Sequence, residues 1–307
     1  LLMLDNGSTE EDVPAYQNLA HYDIPIAVVD HHHPDPEAVA PLLDAHVNPY
    51  LHGEDYRITT GMMCVELARL VDPSITGELR HVPAVAGLSD RSRAEAMGAY
   101  EELASDAGYD REDLLDVGEA LDYAAHWLRY AEGKTLVNDA LNVGCDDDAR
   151  HEELVTFLAE RSERDVERQL EAIDEHVEHE RLASGAHLYR IDVDEYAHRF
   201  TYPAPGKTTG ELHDAKVEST GDPVITIGYG PDFAVLRSDG VRLDIPTMVT
   251  ELDEELPEAG VSGGGHLVVG SIKFVKGRRE AVIDALIGKM ANAEIDEALS
   301  AAAVPEK

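Results

Sequence analysis

The apolar run Ile24-Pro25-Ile26-Ala27-Val28-Val29 stops abruptly at Asp30-His31-His32-His33-Pro34. A run of this length, β-branched at its end and cut off by polar residues and a proline, reads as a central strand of a parallel sheet. That commits the chain to an α/β fold. Residues just past the carboxyl end of such a strand face the crevice where open α/β sheets bind ligands. Asp beside His at that edge is a hard-to-borderline ligand set, suited to Mn, Zn or Fe more than to Ca. The plain alternative is a solvated loop, but a surface histidine run has no reason to follow a buried strand.

Two other segments share this form. Leu1-Leu2-Met3-Leu4 ends at Asp5, and the run from Val82 to Leu88 ends at Ser89-Asp90. Both read as strands. Three apolar segments, each delivering an acid or an imidazole at its polar end, can converge on one point of a parallel sheet.

These residues resemble a known family. Asp5 in Leu-Asp-Asn-Gly-Ser, the triplet Asp30-His31-His32, and Asp90 after Ala-Gly-Leu-Ser look like three of the four motifs of the DHH phosphoesterases. Leu236-Arg237-Ser238-Asp239-Gly240, and Gly263-Gly264-Gly265-His266 followed by Gly270, look like the companion domain called DHHA1. The arrangement is most similar to RecJ-like single-strand nucleases in their archaeal form. The family's first motif, a His-x-Asp-x-Asp pattern, is absent. The chain begins at Leu1 inside an apparent strand, so it is expected to be an N-terminally truncated piece of a longer protein.

The resemblance implies a parallel-sheet DHH domain, incomplete at its N-terminus and joined by helices to a smaller α/β DHHA1 domain. The boundaries read as 1–125, a helical connector over 126–185, and 186–307. In the first part, Ser8-Thr9-Glu10-Glu11 marks a helix start, and Thr59-Thr60-Gly61 opens a helix from Met62 to Val71. Residues 92–180 read as charged helices. His176 and His179, spaced i, i+3 on such a helix, read as exposed side chains rather than ligands. In the last part, residues 186–193, 223–228, 233–237 and 267–274 read as strands and Lys207–Ser219 as a helix. The Gly263–Gly265 run lets backbone N–H groups approach an anion, and Arg237 adds a bidentate donor.

The charge is extreme: 25 Lys+Arg against 62 Asp+Glu, a net −37. Such a charge destabilises a compact state by self-repulsion, which concentrated salt screens to a Debye length of roughly 3 Å at 1 M. The acids are spread along the chain and 43% of residues are hydrophobic, which argues against a disordered acidic tail. A halophilic archaeal cytoplasm is the expected setting. Net acidity normally argues against nucleic acid, but in a salt-adapted protein local basic clusters decide, and Lys273 to Arg279 is the marked one. Cys64 and Cys145 have no zinc spacing and read as packing residues. No stretch approaches the ~20 apolar residues of a membrane span.

The resemblance also implies a chemistry. Two divalent ions, usually Mn2+ with Mg2+ as the other option, would activate a water for in-line attack on a phosphodiester. Asp5 would bridge them, and His31 and Asp90 would complete one. Asp30 would hold an imidazole ring, and His32 would donate to the scissile phosphate. Arg237, Ser238, Gly263, Gly264, Gly265 and His266 would hold the substrate's phosphate or backbone. The expected activity is exonucleolytic, on single-stranded DNA or RNA. The alternatives are a phosphodiesterase for short oligoribonucleotides, bisphosphorylated adenosine or cyclic dinucleotides, and an inactive scaffold that binds replication or repair proteins.

Overall fold

The computed structural model describes residues 1–128, 133–144 and 148–300. It is an α/β protein whose contacts divide it into two units, Leu1–Ser162 and Glu163–Lys307. Cys145 lies outside the described residues, and Cys64 is half-buried.

The first unit opens with β1 (Leu2–Leu4), α1 (Val13–Ala20), β2 (Ala27–Val29), α2 (Pro36–Val39) and β3 (Ala45–Val47). The three strands are parallel, in the order β1-β2-β3, with Leu4 opposite Val29 and Val29 opposite Val47. That register brings all three carboxyl ends level. Tyr16, Ile26, Val28 and Val39 form the buried cluster on which α1 and α2 rest. Burial of Val28 and Val29 is what fixes β2, because β-branched side chains suit a pleated surface covered on both faces.

Helices follow: α3 (Thr60–Val71), α4 (Val82–Ser89), α5 (Met97–Ser105), α6 (Arg111–Leu128), α7 (Lys134–Ala140) and α8 (Asp148–Ile173). The Thr59 hydroxyl caps α3 by accepting from the Met62 N–H. The run Val82–Leu88, expected as a strand, is helical. Pro83 sits in its first turn, where a missing N–H costs nothing. Its small residues admit close neighbours: a Cβ on Gly61 would stand 2.5 Å from the Ala86 Cβ, and one on Gly87 2.3 Å from the Met97 sulfur. A short, largely buried helix is apolar on nearly every face, so periodicity does not separate it from a buried strand. Asp90 is still delivered at its polar end, as the C-cap of α4.

His81 precedes α4. It is 3% exposed, its Nε2 lies 2.7 Å from the Leu141 carbonyl, and its ring stacks on Tyr109. Burial pushes its pKa below the usual histidine value, partly offset by the Leu141 hydrogen bond. The unfolded chain therefore binds the proton more readily than the folded one. The stabilisation is present above the unfolded pKa of about 6.5 and is lost as pH falls toward the lower folded value. Thermal unfolding in molar KCl should show Tm falling from pH 7 to pH 5 with a smaller slope in His81→Gln. Equal slopes would remove His81 from this dependence.

The second unit carries β4 (Glu178–Arg181), β5 (His187–Asp192), α9 (Val193–Tyr196), α10 (Pro205–Thr220), β6 (Val224–Tyr229), β7 (Phe233–Asp239), α11 (Ile245–Glu255), β8 (Ser262–Gly265), β9 (Val269–Lys273) and α12 (Arg279–Met290). Its sheet runs β4-β5-β6-β7-β9-β8. Strands β5 and β6 are parallel and the other neighbours antiparallel. Leu188, Ile225, Ile227, Leu236, Ile245 and Leu286 centre its core. The charged stretch expected to stay helical to Glu180 instead leaves α8 at Ile173. His176 ends a 3-10 turn and His179 lies on β4, so their helical i, i+3 relation does not exist. Pairing of β4 with β5 overrides a local composition that favours helix. No helix among the described residues is long and apolar enough to cross a membrane.

Candidate active site

Three chain ends meet beyond the carboxyl edge of β1 and β2. Asp5 follows β1 with φ +61, a region few non-glycine residues adopt. Its N–H is held by the Val29 carbonyl at 2.9 Å. This turn points the chain away from the sheet and leaves the carboxylate accessible. Asp30 follows β2, its N–H donating to the Val47 carbonyl at 3.1 Å. His31 comes next and is 5% exposed.

The His31 ring is fixed by its surroundings. Its Nδ1 lies 2.9 Å from the Tyr56 carbonyl oxygen. A carbonyl only accepts, so Nδ1 carries the proton and Nε2 faces the other way. That Nε2 stands 3.5 Å from Asp5 Oδ1 and 3.5 Å from Asp90 Oδ2. A neutral imidazole would present a lone pair to two carboxylates, a repulsive arrangement that a cation among them turns attractive. The donor set of one imidazole and two carboxylates therefore fits a divalent ion of the Mn or Zn kind. Backbone fixation of Nδ1 is the usual support for a ligating histidine.

Asp30 and His32 form a second, tighter pair. Asp30 is 1% exposed. Its Oδ1 accepts from His32 Nδ1 at 2.7 Å and from the His32 N–H at 3.2 Å. Burial alone would raise the Asp30 pKa, but hydrogen bonds from His32 and Ser8 outweigh it and hold the carboxyl at about 2. The same bond raises the His32 pKa, against burial and with help from the charges of Asp30, Asp5 and Asp90. Oxygens of Asp5 and Asp30 and a ring nitrogen of His32 lie within 4.8 Å of one another. His33 turns away and packs edge-on against Tyr50.

Three residues of this site carry no signal in the sequence reading. Ser8 and Asn48 are fully buried, and His46 Nε2 lies 2.9 Å from Ser8 Oγ. Asn48 is brought here by its position at the end of β3, level with Asp30.

In the second unit, Arg237 and Ser238 lie on β7 and Gly263–Gly265 form β8, with β9 between them in the sheet. The Arg237 guanidinium lies against Gly210, where a Cβ would approach it to 3.5 Å. The Ser238 hydroxyl donates to the Val241 carbonyl at 2.7 Å. Gly263 and Gly265 have φ of +135 and +154, and a Cβ there would meet the Ser271 or Val269 carbonyl oxygen at 2.2–2.3 Å. These glycines thus serve close strand approach, and the His266 N–H donates to the Val269 carbonyl at 2.6 Å. In the basic cluster, Lys276, Arg278 and Arg279 each pair with a carboxylate, of Asp232, Glu258 and Asp192 respectively.

No protein-family model matches the chain. It is 40% identical to the uncharacterized protein MJ1198 of Methanocaldococcus jannaschii, over 94% of this chain and 41% of that one. It therefore spans less than half the length of that relative. A solved structure described as the DHH domain of a member of the S1p family of ribosomal proteins is 38% identical, with a TM-score of 0.90 over 95% of this chain and 70% of the other. A chain of this fold, with an Asp-His-His triplet at the sheet edge, belongs to the DHH-domain family. Two exonucleases share the fold at lower identity. RecJ bound to manganese is 16% identical over 93% of this chain and 73% of its own, and Thermus thermophilus RecJ in complex with Mg2+ is 15% identical over 96% and 50%; both give a TM-score of 0.51.

Proposed function

We infer that this chain carries the metal-holding part of a phosphodiester-hydrolysing site, and that its substrate is a single strand of DNA or RNA. The observation behind this is the ring of His31, fixed through Nδ1 by the Tyr56 carbonyl, with its Nε2 3.5 Å from the carboxylates of Asp5 and Asp90. Asp5, His31 and Asp90 would hold the divalent ion. The RecJ structures that share the fold bind manganese and magnesium, which supports Mn2+ or Mg2+ here; a second ion beside the first belongs to the same proposal. A bound ion of this kind polarises a phosphodiester and lowers the pKa of water near neutrality.

The chain's own groups supply the rest. Asp30 keeps the proton on His32 Nδ1 and favours the imidazolium, whose Nε2–H can donate to a phosphate oxygen. In the second unit, Arg237, Ser238, Gly263, Gly264, Gly265 and His266 are the proposed phosphate contacts. With Lys276, Arg278 and Arg279 already paired, the loop from Lys273 to Arg279 is a weaker choice. The salt-adapted, cytoplasmic setting remains part of this reading, and replication or repair proteins are the proposed protein partners.

The test has two readouts in molar KCl. Free Mn2+, followed by its paramagnetic resonance, should fall on titration with the protein, and Asp5→Ala and Asp90→Ala should each weaken binding at least ~10-fold. End-labelled single strands should then be shortened stepwise in Mn2+, with a dinucleotide as competing substrate. Cleavage of the dinucleotide alone would move the reading to a small-substrate phosphodiesterase. Absence of both Mn2+ binding and cleavage would overturn it in favour of a scaffold.

A further inference from the structure

Phe200, in the second unit, combines two unfavourable features. Its side chain is 95% exposed, the most of any large apolar residue described, and its backbone lies at φ +60. A bulky residue in that left-handed region is rare and strained. With only 4 Phe in 307 residues, composition does not force one into water.

The turn that carries Phe200 is held on both sides. Before it, the His198 N–H donates to Gln169 Oε1 at 2.8 Å, and the Gln169 amide donates back to the His198 carbonyl at 3.1 Å. Gln169 is a buried residue of α8. The Thr201 hydroxyl donates to the same carbonyl at 3.1 Å. The Arg199 guanidinium is tied to the carbonyl and the carboxylate of Asp194, both at 2.8 Å. After it, Tyr202 is buried, and the Thr208 hydroxyl of α10 lies 3.3 and 3.2 Å from the Pro203 and Ala204 carbonyls. Phe200 is therefore the crest of a fixed turn. Strain of this kind persists only where the surroundings over-determine it, and it clusters at active sites and ligand clamps.

The position of the turn points to its occupant. It runs directly into α10, which carries Gly210, and the Arg237 guanidinium rests on Gly210. At no more than about 3.6 Å per residue of loop and 1.5 Å per residue of helix, Phe200 lies within roughly 30 Å of Arg237. That span is about nine stacked nucleotides at roughly 3.4 Å each. The neighbours His198, Arg199 and Thr201 are polar, so the ring stands alone and not in an apolar patch of the kind a protein partner covers. Salt narrows the choice further. Phosphate contacts weaken steeply as salt rises, and Lys276, Arg278 and Arg279 already pair with carboxylates. Stacking on an aromatic face needs no charge, and every base has such a face. For a chain of net charge −37, it is the strand contact that molar salt leaves intact.

We propose that Phe200 is a stacking platform for one base of a single-stranded nucleic acid, presented by the Gln169 clamp on one side and the buried Tyr202 on the other. Stacking is indifferent to which base arrives, which suits a strand that advances through a site. The inference rests on the reading of the substrate as a single strand, and it adds the residue that engages a base.

The test is equilibrium binding of end-labelled oligothymidylate to the full chain in molar KCl without divalent ions, followed by fluorescence anisotropy. A length of about 12 nucleotides exceeds the span at roughly 3.4 Å each, and an abasic strand of equal length is the control. Phe200→Ala should weaken oligothymidylate binding about 5- to 150-fold, the range for loss of one stacking aromatic. Phe200→Trp should bind at least as tightly as the wild type. The abasic strand should bind wild type and Phe200→Ala alike. The Tm of Phe200→Ala should stay within about 2 °C of the wild type, as for other surface changes. Phe200→Gly should bind as weakly as Phe200→Ala yet unfold at a higher temperature than it, because glycine accepts this φ without strain. Equal oligothymidylate binding by wild type and Phe200→Ala overturns the proposal and leaves the single-strand reading standing. A larger fall in the Tm of Phe200→Ala marks the ring as structural and overturns it too. Failure of the wild type to bind either strand is a separate result, which overturns the single-strand reading and the proposal with it.

Discussion

Asp30→Asn is expected to leave the first unit folded while lowering hydrolysis by about 10²–10⁴-fold, the usual worth of a positioned proton donor. The side chain is isosteric and 1% exposed, so packing is preserved. What changes is charge. An amide oxygen can still accept from His32 Nδ1, but it does not favour an imidazolium as a carboxylate does. The His32 pKa should therefore fall, since the Asp30 hydrogen bond is the largest cause of its elevation. A ring-nitrogen titration measures that fall independently of any turnover. Stability should also drop on the order of 2 kcal/mol at pH 7, the linkage worth of a carboxyl held at about 2 rather than 3.8. In the wild type that contribution is present above pH 3.8 and lost as pH falls toward 2. An Asp30→Asn protein with an unchanged His32 pKa would show that the short bond between the two side chains does not set the proton on His32.

The legible part of this fold is the part written as strands with one polar end. Val28 and Val29 are buried on both faces of a parallel sheet, and that condition leaves an unbroken apolar run that stops where the sheet stops. Asp5 and Asp30 are found for that reason. Asp90 is found through a misassigned element: α4 is apolar from Val82 to Leu88 because α3, α5 and α6 pack around it, and a run that short and that apolar has no period to read. The end of α8 is invisible for the opposite reason. The β4 segment Glu178–Arg181 is exposed at every position, so no alternation marks it, and only pairing with β5 makes it a strand. Glycines carry more than one constraint. Gly263 and Gly265 read in the sequence as a run that could cradle an anion; their positive φ values and the carbonyls of Val269 and Ser271 also require the missing Cβ for strand contact, which the sequence alone does not show. Ser8, His46 and Asn48 are common residue types in turns and loops. Their meaning comes from partners 38 or 40 residues apart, such as Ser8 with His46 and with Asn48, and no local pattern holds that information.

Folding itself should depend on salt more strongly than on any single side chain. With 25 bases for 62 acids, even complete pairing of every base leaves a large unbalanced charge. Several bases already serve two acids at once, as Lys289 does with Glu251 and Glu255 at 2.9 and 2.7 Å. The remaining acids repel across the surface, and the range of that repulsion shrinks from roughly 8 Å at 0.15 M to 3 Å at 1 M. The Tm of the chain should therefore rise on the order of 10 °C or more between 0.1 M and 2 M KCl, several kcal/mol at 2–4 °C for each. Sucrose at matched osmolality separates screening from exclusion of cosolute, which also favours compact states. A rise in KCl that sucrose does not reproduce assigns the effect to charge. The same screening would let a phosphate backbone approach a polyanionic protein, so strand shortening should be lost in dilute buffer before the fold is. A flat Tm would mean that the acids are spaced well enough to tolerate one another unscreened, and the net −37 would then return as a direct argument against a nucleic-acid substrate.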